Sequence, residues 1–206
     1  MNYYSQFGQD KFIYENVLNK QDKGFFLDIG ASEPVRQNNT IFFERQGWDG
    51  IVIEPMVEDY NNLVKERNCA CENVAISDKD EIRKFVQIQG PAKGLSGILE
   101  GYDIRHIFRL VHEMQQSGGN ITLVDMKCVT LESLLKAHDV DTVDYMSLDV
   151  EGKELDILKT IDFNKVNIRC ISVENNYKDP QINEFLSSKS YQKVADLDVD
   201  EIYYKA

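Results

Sequence analysis

The chain has 206 residues, 42% of them hydrophobic, with 23 Lys and Arg against 35 Asp and Glu for a formal net charge of −12. That length is enough for one α/β domain with a sizeable core and short for two; no run approaches the roughly 18 apolar residues of a membrane span, and residues 1–12 carry no secretory apolar segment, so a cytoplasmic protein is expected. So acidic a chain argues against a nucleic-acid partner, since duplex binding rests on Lys and Arg neutralising phosphates, while a small anionic substrate, which responds to local charge, stays open.

Taken in chain order, Ser-Gln-Phe-Gly-Gln-Asp at 5–10 opens the domain and leads into a helix with Phe12, Ile13, Val17 and Leu18 on one face, capped by Ser5 or Asp10. Residues 25–34 read as a short apolar strand that stops at Asp28, Gly30 and small residues. A helix over 38–46 follows, presenting Ile41, Phe42 and Phe43, and a second apolar strand at 50–53 ends in Glu54. Gly30 permits a positive φ and lets a ligand approach the backbone. Glu54 stands about where a Rossmann-type unit puts the carboxylate that holds a ribose. The glycine-rich cradle for a pyrophosphate is missing, which counts against NAD and FAD. A ligand with ribose hydroxyls and no phosphate fits better, and S-adenosylmethionine is one.

An acidic helix over 57–67 buries Tyr60, Leu63 and Val64, and a third strand spans 69–76. The pattern loosens from 77 to 129: a strand at 85–88, a mobile loop at 90–97, a helix over 102–116 and a strand at 121–129. Along that helix Ile104, Ile107, Phe108, Val111 and Met114 line one face, while Arg105, Arg109 and His112 recur on another. An insertion of this length is expected to lid or shape a site, with the basic face offered to an anion such as a phosphate-bearing acceptor or simply solvated. A helix capped by Thr130 carries Leu131, Leu134 and Leu135. A fourth parallel strand, 143–148, breaks at Asp149-Val150-Glu151-Gly152; a fifth, 168–173, ends at Glu174; and the tail 191–204 reads as a closing antiparallel pair. The alternation of strand and helix indicates a mainly parallel sheet with helices on both faces. The four cysteines, at 69, 71, 128 and 170, match neither a zinc cluster nor a Cys-x-x-Cys pair and read as reduced core thiols.

Asp28, Glu54, Asp149 and Glu174 close four of these strands, and parallel strands bring their ends to one rim, where open α/β sheets bind ligands. Asp28 and Glu54 are assigned to the methyl donor, which leaves Asp149, Glu151 and Glu174 for the acceptor. Methyl transfer to a hydroxyl is an in-line displacement in which one proton must be removed. A carboxylate with a raised pKa can take it. Alternatively Asp149 and Glu174 hold a Mg²⁺ that acidifies the bound hydroxyl. The sequence does not rank Asp149, Glu151 and Glu174. Lys153 is a further candidate base but reads more simply as a surface lysine on an amphipathic helix; His106 and His112, candidates carried by the lid, read more simply as solvated histidines.

Five motifs now stand in order: Ser5 to Asp10, Phe26 to Ala31, Asn39-Thr40, Gly47 to Pro55 and Leu148 to Glu154. Together they resemble the FkbM-type S-adenosylmethionine-dependent methyltransferases over nearly the whole chain. The resemblance implies a Rossmann-like class I methyltransferase fold, seven-stranded and mainly parallel with an antiparallel last strand, as one domain over 1–206. It implies O-methylation, of sugars in glycans or nucleotide-linked, or else of polyketide-like natural products; an acidic-rim binding module without turnover is the non-enzymatic alternative. By the same resemblance Asp28, Gly30 and Ala31 form the donor turn, Glu54 is the ribose acid, and Asn73 to Ala75 flank the adenine. Gln6, Asn39 and Thr40 lie near the methionine end, Asp149 and Glu151 match the acids after the fourth strand, and Ser96 in the lid touches the acceptor. The family fills the position of Lys153 variously. The oligomeric state is left open, a homodimer included.

Overall fold

The computed structural model describes residues 2–205. In chain order the elements are α1 (Gln9–Phe12), β1 (Phe25–Ile29), α2 (Ile41–Arg45), β2 (Asp49–Ile53), α3 (Val57–Glu66), β3 (Ala70–Glu72), β4 (Ala75–Ile76), β5 (Glu81–Gln89), β6 (Gly97–Ile98), α4 (Ile104–Ser117) and β7 (Asn120–Val129). After them come α5 (Leu131–Ala137), β8 (Thr142–Leu148), α6 (Glu154–Thr160), β9 (Asn167–Glu174), α7 (Pro180–Ser188), β10 (Gln192–Leu197) and β11 (Asp200–Tyr204). Seven strands make one sheet in the order β3-β2-β1-β8-β9-β11-β10. All run parallel except β11, which lies antiparallel between β9 and β10. The order reverses between β1 and β8, which opens a crevice at the carboxyl ends of those strands.

Alternate residues of the central strands enter two separate cores. Leu27, Ile29, Ile51 and Ile53 pack with α5, α6 and α7 residues such as Leu134, Ile157 and Leu186. Phe26 and Val52 pack on the other face with Ile13, Phe42, Phe43 and Leu63. Helices therefore cover both faces, which is why these strands read as unbroken apolar runs. Among the described residues no helix is long and apolar enough to cross a membrane.

Several local expectations change, each for an identifiable reason. The cap of α1 is Gly8, at φ 81 and without a side-chain cap. Asp10 instead accepts the Tyr4 and Ser5 amides at 2.6 and 3.2 Å, and the chain continues past Phe12 as a π-turn over Ile13–Val17. The helix expected over 38–46 shortens to α2, because Asn38 Oδ1 takes the amides of Thr40 and Ile41 and holds that loop out of the helix. Leu63 is the buried apolar anchor of α3, whereas Val64 is 51% exposed; the helix lies over the sheet's edge, where only its inner row is covered.

The single strand expected at 69–76 is two strands in two sheets. It breaks at Asn73, whose side chain donates to the carbonyls of Glu54 and Pro55 at 2.8 and 3.0 Å. β4 then joins β7, β5 and β6 in a four-stranded sheet, built on a β5–β7 ladder that pairs Glu81 with Cys128 and Gln89 with Asn120. The loop at 90–97 holds a 3-10 turn, Lys93–Leu95. Asp103 caps α4 through the amides of Arg105 and His106, and Leu110 seats that helix on Val86 and Ile88. Ile104, Ile107, Phe108 and Val111 stay exposed to solvent.

Candidate active site

The crevice at the switch point is a cavity of about 290 Å³, and Asp28, Glu54, Asp149 and Glu174 all line it. Gln6, Gly30, Ala31, Asn39, Ala75, Ser96, Arg109 and Glu151 line it too, so sheet and insertion wall one space. Its size is at the lower end of ligand pockets, which run from about 300 to 1,000 Å³.

The turn after β1 bends across the end of β2, with the amides of Gly30 and Ala31 both bonded to the Ile53 carbonyl at 3.0 and 3.1 Å. Gly30 has φ +86, and a Cβ there would lie 1.8 Å from the carbonyl oxygen of Asp149. Glycine is thus required both by the positive φ expected from sequence and by the close approach of the Asp149 backbone, and Gly30 also lines the cavity. Glu54 follows β2 and is 5% exposed. Its Oε2 accepts the Ser32 amide at 2.9 Å and its Oε1 the Met56 amide at 2.7 Å. Burial pushes its carboxyl up to about 7, and these two amides oppose the shift. A carboxylate has about four acceptor positions, so two remain for a ligand.

Asp28 is buried, and its Oδ2 accepts from Thr40 Oγ1 at 2.7 Å and Asn38 Nδ2 at 3.1 Å. Burial raises its pKa against the nearby Arg67 guanidinium. Asn39, between those two partners, donates to Ser147 Oγ at 3.0 Å in the cavity wall.

The other half is carboxylate-rich. Burial drives the pKa of Asp149 well above the usual range; Glu174 adds repulsion and a hydrogen bond between the two side chains. Glu174 is raised likewise, by burial and then by Glu151. Asp149, Glu154 and Glu174 each offer an oxygen within 4.8 Å of the others. Glu154, however, already takes the amides of Val150 and Gly152 at 3.1 and 3.0 Å and so staples the turn after β8. Glu151 sits in that turn at φ 57, an uncommon backbone region for a side-chain-bearing residue. Its carboxylate meets Arg109 Nη1 at 3.3 Å and His106 Nδ1 at 3.7 Å.

Other residues singled out from sequence stand behind or beside the cavity. Thr40 and Asn73 brace Asp28 and the Glu54–Pro55 backbone from behind. Ser96 spends its hydroxyl inside its own turn, donating to the Lys93 carbonyl at 2.7 Å and accepting the Ile88 amide at 3.0 Å. Arg105 pairs with Asp103 and lines a second cavity of about 120 Å³, which shares Glu151 and Glu174 with the first. His112 is exposed and lines neither. His106 is buried, with Nε2 3.2 Å from the Leu95 carbonyl, and burial lowers its pKa. Lys153 borders the cavity with Nζ 2.8 Å from Asp156.

The sequence reading missed Asn38, Ser147 and Lys93. Lys93 reaches from the insertion to Glu33 and Asp59, at 2.8 Å each, and ties the insertion to the turn after β1 and to α3. An Asn-Asn-Thr run directly before an apolar helix start is a signal that could have pointed to Asn38. Nothing in the chain order announces Lys93.

A seven-stranded, mostly parallel sheet with helices and an acid-lined crevice at its switch point is consistent with a methyltransferase fold. The sequence profile of the Methyltransferase FkbM domain matches residues 28–193, and the chain belongs to that family. No curated protein and no solved structure matches the chain.

Proposed function

We propose that this methyltransferase moves a methyl group from S-adenosylmethionine to a hydroxyl of a neutral sugar, free or within a glycan. The observation that carries the reading is Glu54: a buried carboxylate, fixed by the Ser32 and Met56 amides, with acceptor capacity left on the cavity side. That suits a vicinal diol such as a ribose. Val74, Ala75 and Ile76 give an apolar wall for a purine. Asp28, Gln6 and Asn39 would hold the amino-acid end, and Thr40 and Asn73 would serve from behind. When bound, S-adenosylmethionine supplies a methyl carbon made electrophilic by its sulfonium.

On the acceptor side, burial raises both Asp149 and Glu174, with Glu174 adding repulsion at Asp149 and Glu151 adding it at Glu174, so the two neighbouring carboxyls would titrate as a coupled pair that can share a proton. The ionised member takes the proton of the acceptor hydroxyl, while Glu151 and Arg109 orient the sugar's other hydroxyls. Asp149 and Glu174 would also be the residues to hold a Mg²⁺, which would acidify that hydroxyl. Arg109 and Arg105 are each engaged by an acid, Glu151 and Asp103. That leaves an excess of carboxylates, which favours a neutral acceptor over one bearing a phosphate.

Calorimetry with S-adenosylhomocysteine tests the donor half, with micromolar binding expected. Turnover of labelled donor on a panel of sugars and polyketide-like alcohols, with and without a chelator, tests the acceptor half. Absence of any S-adenosylhomocysteine binding would end the reading.

A further inference from the structure

Arg67 is an arginine whose side chain is wholly buried, and none of the steps above uses it. It follows α3 and lies over the ring of Phe26 with its guanidinium 5.6 Å from the centroid. All three nitrogens are spent. Nε meets Glu44 Oε2 at 2.6 Å, Nη1 donates to Asn38 Oδ1 at 3.2 Å, and Nη2 donates to Thr40 Oγ1 at 3.0 Å. Asn38 and Thr40 are the two side chains that donate to Asp28 Oδ2, and Asn39 between them reaches Ser147 in the cavity wall. Asn38 also donates to the Ala31 carbonyl at 3.1 Å, which ties the same loop to the turn after β1.

We propose that Arg67 is a positioning residue for the donor half of the cavity, holding the 38–40 loop so that Asp28 and Asn39 keep their places in its wall. The proposal rests on the reading of that half as a methyl-donor site. The physical case is directional. Asn38 Oδ1 accepts from the Thr40 and Ile41 amides as well as from Arg67, and Nδ2 donates to Asp28 and Ala31, so the amide group cannot turn over without losing all five bonds. Thr40 gives its one hydroxyl hydrogen to Asp28, and the Arg67 donor occupies the lone pair that remains on the protein side. A planar fork with donors in three directions meets Glu44, Asn38 and Thr40 together; an ammonium on a flexible stem does not. A buried ion pair adds little net stability compared with a well-packed apolar replacement, so the orientation of the loop, more than the energy of the Glu44 pair, accounts for the arginine.

The test compares donor affinity with folding. Arg67→Met is expected to weaken S-adenosylhomocysteine binding in calorimetry by about ten-fold or more, the range for lost charge-assisted hydrogen bonds. Amide exchange over residues 38–41 should quicken in the same variant. Glu44→Gln, which removes the ion pair and leaves the Asn38 and Thr40 bonds, should lower the unfolding midpoint while S-adenosylhomocysteine affinity stays within about two-fold. In Arg67→Ala, added guanidinium should restore affinity where methylammonium does not. Should Arg67→Met fail to fold, Arg67→Lys, which keeps the charge opposite Glu44 and loses the fork to Asn38 and Thr40, gives the same comparison, with the same loss of affinity expected. Equal affinity in folded Arg67→Met and wild type, or an equal loss in Glu44→Gln, overturns the positioning role alone. Absence of binding by the wild-type chain overturns the donor-site reading, and this proposal with it.

Discussion

Asp149 and Glu174 stand at the ends of neighbouring parallel strands, one residue beyond Leu148 and Val173, which are direct partners in register. Strand pairing therefore forces the two carboxyls together, and burial keeps bulk water from separating their charges. A carboxyl whose folded pKa is raised contributes stability that is full below the unfolded value of about 4 and is lost as pH rises through the folded value. The unfolding midpoint should fall as pH is raised from about 4 into the alkaline range. Asp149→Asn should flatten that slope and raise the midpoint at alkaline pH. The same substitution should reduce kcat on the order of 10²–10⁴-fold if the pair takes the acceptor proton. A variant with full turnover and an unchanged pH slope would remove the pair from the mechanism.

Glu54 makes a second pH test, of opposite sign for binding. With its carboxyl raised to about 7 by burial, it is protonated in mild acid and ionised above neutrality. Hydroxyl donors need the ionised form, so affinity for S-adenosylhomocysteine should rise between pH 6 and 8, the interval that brackets that pKa. Glu54→Ala should weaken binding by about ten-fold or more and abolish that pH dependence, since hydrogen bonds to charged groups contribute about 1.5–3 kcal/mol. Isothermal titration at several pH values checks both. A flat profile in the wild type would show that Glu54 does not meet the ligand.

Much of this frame was legible because its signals are local. Strands buried on both faces show as apolar runs, and an acid at or near the carboxyl end of each marks the rim, so Asp28, Glu54, Asp149 and Glu174 could be assigned to one rim from sequence, although β1 runs one residue past Asp28. What was not legible depends on pairings across the chain. The break at Asn73 comes from hydrogen bonds to Glu54 and Pro55, and a lone asparagine with no Gly or Pro beside it does not announce them. Arg105 and Arg109 share a helical face in the sequence, yet the structure sends the first to Asp103 and the second to Glu151. Periodicity marked Ile104, Ile107, Phe108, Val111 and Met114 as one apolar face; it could not tell that the small sheet would seat α4 on Leu110, with Met114 packed beside it and the other four exposed.

Lys93 gives the insertion its grip on the Glu54 side of the cavity. Its two carboxylate partners lie on separate elements, Glu33 after β1 and Asp59 in α3, so removing the lysine unlatches one wall of the cavity. The pairs are partly exposed, and Lys93→Ala should cost only about 0.2–1 kcal/mol of stability. The larger effect should fall on the donor. S-adenosylhomocysteine should dissociate faster, and wild-type affinity should decline with added salt while that of Lys93→Ala responds less. Stopped-flow dissociation at two ionic strengths measures this; identical off-rates for wild type and variant would mean that the latch does not govern access.

The seating of α4 yields a prediction that separates periodicity from packing. Phe108 is 67% exposed and Leu110 is 8% exposed, the two lying two residues apart and so on opposite sides of the helix. If burial decides their contribution, Phe108→Ser should change the unfolding free energy by no more than about 0.5 kcal/mol, as substitutions on an open surface do. Leu110→Ala should cost about 2–5 kcal/mol, through lost transfer energy and the cavity left against Val86 and Ile88. Urea denaturation of the two variants decides between them. A large loss at Phe108 with little at Leu110 would mean that the helix is rotated about its axis from the orientation described, and that Arg109 points away from Glu151.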